Sequence, residues 1–478
     1  MQEKLHSLSY YRWLVFGVTV MGTFMATLDA SIVNVALPVI SAQLGAQLTT
    51  VQWVVTAYLL TISSLLPLFG RAGDMLGRRK IFTAGFLIFT LGSALCGFSY
   101  TIKLLIAARV LQAIGAAMIM ANSQALVAGA FPGKDRGRAL GMVGTVVALG
   151  SMTGPSLGGL LVGSLGWSSI FLINLPIGIL AFIVGQLVLP KSETRHDESF
   201  DFLGAVLFAI GMLSLLLVLS EGHEWGWLSR SSLFAGIVSL VTFYCFIWYE
   251  KRVKHPMIDL SLFRHWPFLA GNLAGLFSFM AMFSNNLLLP FYLTDLLHLT
   301  PTQTGLIITP FPIVLAIIAP LSGYLSEKVS LIWLTVSGLS LTIAGLLFLA
   351  TITPQVPLWQ IAACQALLGV GNGLFQSPNN NSVLSSVSPN KLGIAAGLNA
   401  LVRNVGMVSG TAAAVSIFEF RRRIMLENLA APSSDQLTGA FLSGYHTALF
   451  AGAVFAALAA IISLNRKSHV RSETQLGK

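Results

Sequence analysis

Charge is what this chain has least of. Only 10% of its 478 residues are charged while 55% are hydrophobic, and its mean hydropathy is +0.78. A soluble domain carries about 25% charged residues, so this chain has too few to cover a surface facing water. Cysteine is scarce as well. Cys96, Cys245 and Cys364 are odd in number, far apart and set in apolar segments, which excludes a disulfide framework or a metal-ligand spacing, and no metal is expected. The eight histidines show no paired spacing on one helix. No glycine-rich phosphate loop of the Walker type occurs, so the chain carries no ATP motor and no cofactor is expected. The net charge of +10 does not point to nucleic acid. The basic excess sits in short loops beside apolar segments, where membrane orientation and anionic lipid account for it.

Long apolar runs are abundant. Windows of roughly 17 to 25 apolar residues, the length that crosses a hydrocarbon core as a helix, recur along the whole chain. Fourteen centre near residues 25, 60, 90, 115, 150, 178, 210, 240, 279, 314, 340, 368, 405 and 455. The short seventh and the Gly/Asn-interrupted thirteenth are the weakest, which keeps a count of twelve open. The first lacks a small-residue cleavage signature and reads as a retained helix. Most of the 28 Lys and Arg residues fall in alternate connections if both termini are cytoplasmic, as the positive-inside rule requires. The run Arg421, Arg422, Arg423 breaks the pattern, either as a helix end reaching for headgroups or as an error in the late helix count. A multi-pass protein of the cell membrane is expected.

Within the first apolar segment, LDASIVNVALP places Asp29 and Asn34. An ionised carboxylate deep in a bilayer is costly, so it faces a polar cavity, is protonated, or both, and a transport site is the default reading. Arg109 lies inside the fourth segment and needs a carboxylate, carbonyls or water. GRAGDMLGRRK after the second segment and GYLSEKVS after the tenth both place an acid four residues after a glycine, Gly70 with Asp74 and Gly323 with Glu327. This degenerate repeat suggests an all-α membrane protein of two six-helix halves, residues 1–190 and 256–478, with helices seven and eight inserted as residues 191–255. Parallel repeats of this kind hold their cargo at the interface between halves.

Four motifs make the resemblance specific. GRAGDMLGRRK keeps Gly70, Gly73, Asp74, Gly77, Arg78 and Arg79; RVLQAIGAA carries Arg109, Gln112 and Gly115; GSMTGPSLGG carries Gly150, Gly154, Pro155, Gly158 and Gly159; LDASIVNVALP carries Asp29. Together they resemble the major facilitator superfamily, and within it the fourteen-helix drug:proton antiporters. Ala72, Ala113 and Ser31 stand where the family more often has Leu, Gly and Thr. The resemblance implies a proton gradient as the driving force, with Asp29, Arg109, Asn34 and Gln112 in coupling or substrate contact. It implies that the fifth-helix seam favours export. Physically, the Gly70 to Arg79 cluster can latch one face of the two halves, and glycines every four residues allow close helix approach.

Amides and adaptable apolar groups are the cavity candidates: Asn285, Asn286, Phe283, Gln365, Gln376, Asn379, Asn380 and Asn399. Met and aromatic walls with few fixed charges suit bulky, lipophilic, often cationic molecules. Glu221 and Glu224, in SEGHEWGW, stand as exit acids or as solvated loop acids. The expected activity is therefore proton-coupled efflux of drugs or toxic compounds by a monomer whose partners are small lipophilic substrates, protons and membrane lipids. No enzyme is expected. The alternative is an exporter or flippase of a lipid or of one endogenous metabolite.

Overall fold

A backbone in hydrocarbon must satisfy its own N–H and C=O groups, and a helix does so within one segment. A computed structural model describes residues 10–131, 135–190, 201–226, 228–253, 260–326, 328–387, 392–427 and 433–466. Its first half consists of α1 (Tyr11–Leu44), α2 (Trp53–Leu76), α3 (Arg78–Gly97), α4 (Ile102–Ala130), α5 (Asp135–Leu165) and α6 (Asn174–Val188). The inserted pair is α7 (Phe202–Trp225) and α8 (Arg230–Glu250). The second half consists of α9 (Trp266–Phe291), α10 (Pro310–Leu325), α11 (Leu331–Leu349), α12 (Leu358–Ser385), α13 (Leu392–Leu426) and α14 (Ser434–Leu464). A shorter helix, Pro301–Ile308, leads into α10 through Thr309.

Among the described residues, 13 helices are long and apolar enough to cross a membrane. The 31-residue α5 completes the set of fourteen. The two weakest sequence segments are both full helices: α7 has 24 residues and α13, with 35, is the longest of all. A count of twelve is thereby excluded. Arg421, Arg422 and Arg423 belong to the last turns of α13 rather than to a loop. The domain limits expected at residues 191 and 255 lie outside the described residues.

Helix ends are set by local chemistry. Thr101 caps α4 by accepting from Leu104 N, and Asp201 caps α7 by accepting from Gly204 N at 2.8 Å. Ser433 and Gln436 form a reciprocal capping box at α14, satisfying orphan N–H groups of the first turn. Gly77 separates α2 from α3 at φ +99, a backbone angle that side-chain-bearing residues rarely adopt.

Packing follows the two halves. In the first, α1 lies against α4, α5 and α6, α2 against α4, and α3 against α4 and α6; in the second, α9 lies against α12, α13 and α14, and α10 against α12. The helices α7 and α8 pair with each other, while α7 also touches α2 and α13. An even number of crossings returns the chain to the face on which it began. On the opposite face the halves meet directly. Ser156 Oγ and Thr309 Oγ1 share a 2.6 Å hydrogen bond, and Thr302 donates to the Gly159 carbonyl at 3.3 Å.

Candidate functional site

Glycine spacing decides where α1 sits. A Cβ on Gly154 would meet Ile32 N at 2.8 Å, and one on Gly158 would meet Ile32 O at 2.7 Å. Gly150 lies equally close to Phe24 and Thr27. The three glycines thus let α5 and α1 touch backbone to backbone. Gly159 points elsewhere, with a built Cβ 2.7 Å from Pro301 O and 2.8 Å from Gly305 Cα. The motif therefore serves two contacts, one within the first half and one across the seam. Pro155 lies inside α5, and its carbonyl is 3.0 Å from a Cβ built on Gly305.

On the side of α1 turned into the first half, Asp29 is 1% exposed and Arg109 is 0% exposed. Arg109 Nη1 donates to Asp29 Oδ2 in a buried ion pair. Its Nε donates to the Val54 carbonyl at 2.8 Å, and Nη1 also reaches Gln112 Oε1 at 2.6 Å. Gln112 Nε2 donates to Asp29 Oδ1 at 2.8 Å and to Ser93 Oγ at 2.6 Å, while Asn174 Nδ2 donates to Asp29 Oδ1 at 3.0 Å. The guanidinium carbon lies 3.9 Å from the centroid of the Tyr58 ring, a cation–π contact in a desolvated setting. Five helices, α1, α2, α3, α4 and α6, thus converge on the Asp29–Arg109–Gln112 cluster. Such a pair is held by its hydrogen bonds as much as by charge, because desolvation offsets the Coulomb attraction.

The structure brings Asp29, Arg109 and Gln112 together, and it separates Asn34 from them. Five residues along an α-helix turn the side chain by about 140°. Asn34 accordingly lines a cavity at the seam together with Ser31, Asn285, Asn286, Pro155 and Phe311. The Asp29 carboxylate does not line that cavity; Arg109, Gln112 and Asn174 enclose it. Asn174 and Ser93 were missed from sequence, since a lone amide or hydroxyl in an apolar run carries no signal of its own.

Other candidates separate as clearly. Asn379 is not among the residues lining this cavity; it accepts from Arg466 Nη1 at 2.8 Å and donates to the Gly271 carbonyl at 3.2 Å. Burial draws the Arg466 guanidinium down to about 10. Gln376 donates to Asn372 on its own helix at 2.8 Å, and Asn399 of α13 donates to Asn380 of α12 at 3.0 Å. Phe283 is 8% exposed and packs in the core. Glu221 accepts from Trp53 Nε1 at 2.7 Å, tying α7 to α2.

In the Gly70 to Arg79 cluster, Gly73 lies against Asn122, while Gly70 has only ordinary contact with Ala121. Arg78 donates to the Ala125 carbonyl at 3.4 Å, and Arg79 donates to Gln186 Oε1 at 3.1 Å. These two bonds stay within the first half. The Asp74 and Glu224 side chains and all of Glu327 lie outside the described residues. Among the described residues no group of three or more His, Cys, Asp or Glu is placed to hold a metal ion.

The chain matches the family model described as Major Facilitator Superfamily over residues 19–411 and again over 271–476. It is similar to the riboflavin transporter RibZ of Clostridioides difficile, 37% identical over 85% of this chain and 88% of that one. It is 31% identical to the multidrug transporter protein MdtP of Bacillus subtilis over 89% of this chain and 79% of that protein. Its fold matches a bacterial homologue of the human lysosomal transporter Spinster with a TM-score of 0.67 at 16% identity, covering 96% of this chain and 97% of that one. These relatives are transporters, which at the family level places the chain among membrane carriers rather than enzymes. Fourteen helices in two halves with an inserted pair, the signature motifs and the match across both halves lead to one conclusion: the chain belongs to the Major Facilitator Superfamily.

Proposed function

We propose that this transporter exports bulky lipophilic compounds in exchange for protons by alternating access, with both termini in the cytoplasm and the monomer as the working unit. The observation that carries the reading is the enclosed Asp29–Arg109 pair with Gln112 and Asn174 upon it. Burial disfavours the ionised carboxylate, and the guanidinium and amide donors favour it. A shift of α4 relative to α1 that loosens Arg109 therefore releases the carboxylate to take up a proton. Re-closure expels it. No fixed charge on the cargo is required by this arrangement, because Asp29 is neutralised within its own half. The contacts of Gly159 and Ser156 with the Pro301–Thr309 region then form the outer closure that parts for release. The Gly70 to Arg79 cluster acts on the cytoplasmic side as the opposing latch.

One observation favours a second reading, export of a single metabolite such as a flavin. The similarity to a riboflavin transporter covers 85% of the chain, and the seam cavity is lined by amides suited to a heteroaromatic ring. One assay addresses both readings. Purified protein in proteoliposomes with an imposed pH gradient is given lipophilic dyes and riboflavin, and Asp29→Asn is compared with wild type. Gradient-driven transport is expected to collapse in the variant while gradient-free binding of neutral ligands persists. Wild-type transport rates from Asp29→Asn protein overturn the coupling role. For orientation, a single cysteine replacing Ser434 in a Cys-free background is expected to react only with an impermeant reagent added outside.

A further inference from the structure

The seam cavity holds an unusual density of amides with unused hydrogen-bonding capacity. Asn34 on α1 and Asn285 and Asn286 on α9 all line it. Behind Asn285 stands Gln365 of α12, which accepts from Asn285 Nδ2 at 3.3 Å. That bond holds the Asn285 amide in place and leaves its Oδ1, which is buried, without a partner among the described residues. The free amide of Gln365, Nε2, is likewise buried and without a partner among the described residues. Both residues are 1% exposed. Exchanging the O and N positions of both amides leaves the same inventory, one acceptor and one donor unsatisfied. Each such orphan is costly to leave buried, so the pair is a standing deficit that a ligand removes.

The neighbours do not supply the missing bonds. Ser31 Oγ is engaged with the Leu28 carbonyl at 3.0 Å and the Gly150 carbonyl at 3.3 Å. Apart from Ser151, the rest of the wall is apolar: Val35, Pro155, Leu289, Pro290, Ile308 and Phe311. A buried acceptor on a lining residue, with the Asn34 and Asn286 amides in the same wall and an apolar surround, is the complement of one chemical group: an N–H next to a carbonyl on a flat apolar body.

We infer that Asn285, positioned by Gln365 and assisted by Asn34 and Asn286, recognises a cis-amide or imide edge of the cargo. In this arrangement the ligand N–H donates to Asn285 Oδ1, and the adjacent ligand carbonyl accepts from an amide N–H of the Asn34 or Asn286 side chain. Gln365 fixes the direction in which Asn285 presents its oxygen. The inference rests on the export reading for its meaning as a cargo site. Its test is an equilibrium measurement with no gradient, so its failure is distinct from a failure of proton coupling.

The probe pair is naphthalimide and N-methylnaphthalimide, which share a body and differ in the imide N–H. Binding to detergent-purified wild-type protein is followed by ligand fluorescence. Wild type is expected to prefer naphthalimide about tenfold or more, since a site built around an N–H donor strongly rejects the analogue lacking it. Asn285→Ala is expected to reduce that preference to within about twofold with N-methylnaphthalimide binding unchanged, and Gln365→Leu to reduce it partially. Equal binding of the two ligands by wild type overturns the proposal, and so does an equal weakening of both by Asn285→Ala. The wild-type comparison stands even if a variant fails to fold.

Discussion

The Asp29 cluster in the first half and the seam amides of the second use buried polar side chains in different ways. The first half gathers a carboxylate, a guanidinium and three neutral side chains into one cluster in which each oxygen of Asp29 has a donor. The second half buries neutral amides, two of which are left with open positions beside the seam. Its buried cation, Arg466, is held by an amide oxygen and a backbone carbonyl in place of an acid. The contrast teaches how a pseudo-symmetric scaffold divides its labour. The charged pair is kept inside one half, where its surroundings hold it. The open amides sit at the boundary between halves, where their hydrogen-bonding positions remain unfilled.

The largest effect expected from breaking this contrast is at Arg109. Arg109→Ala leaves Asp29 buried without its cation, a change of about 3–5 kcal/mol for a buried pair. A thermal melt of the purified protein is expected to fall well below wild type and to recover in part when Asp29→Asn is added. An Arg109→Ala melt equal to wild type would mean that the pair does not hold the first half together.

Next is the glycine seam. Gly154→Val is expected to lower stability by about 1–3 kcal/mol through overpacking and to abolish transport, because the new side chain meets the α1 backbone at Ile32. Gly159→Val is instead expected to leave the first half intact while blocking the outer closure. Accessibility of a cysteine placed at Ser156 to impermeant reagents would rise in Gly159→Val protein. Unchanged accessibility would show that α5 and α10 do not form the closure.

The second half offers a smaller effect. Asn379→Ala removes a charge-assisted bond to Arg466, worth roughly 1.5–3 kcal/mol, and a shift in the melting midpoint without change in ligand preference is expected. The smallest change is at the boundary. Asn34→Ala is expected to alter ligand affinity by about twofold to fivefold, as loss of one neutral hydrogen bond of roughly 0.5–1 kcal/mol implies. The pH dependence of transport should be unchanged, because Asn34 and Asp29 leave α1 on different faces. A shift in that dependence would join the two sites that the structure separates.

Much of this was legible in the sequence, for identifiable reasons. Asp29 and Arg109 announce themselves because an ion in an apolar run is energetically conspicuous, and Gly150, Gly154 and Gly158 because their spacing matches the helix turn. Asn34 is grouped with Asp29 when the motif alone is read, although five residues along a helix put the two on different faces. What helical geometry does not give is which neighbour each face meets. Asn174 reaches Asp29 across 145 residues of chain, and no local pattern marks one asparagine among many. Asn379 is a cavity candidate from sequence because amides crowd that stretch of α12. The residue it bonds, Arg466, follows the last helix and gives no hint of the association in sequence.

The two faces of α1 carry a consequence for how such a carrier diversifies. One helix presents Asp29 to the first half and Ser31 and Asn34 to the seam, held in register by glycines of α5. Residues of the seam wall on α9 can therefore be exchanged while the Asp29–Arg109 cluster stays unaltered. Change at α1 itself is restricted, since any bulk added at its glycine contact displaces the ion-pair cluster and the seam wall in the same step.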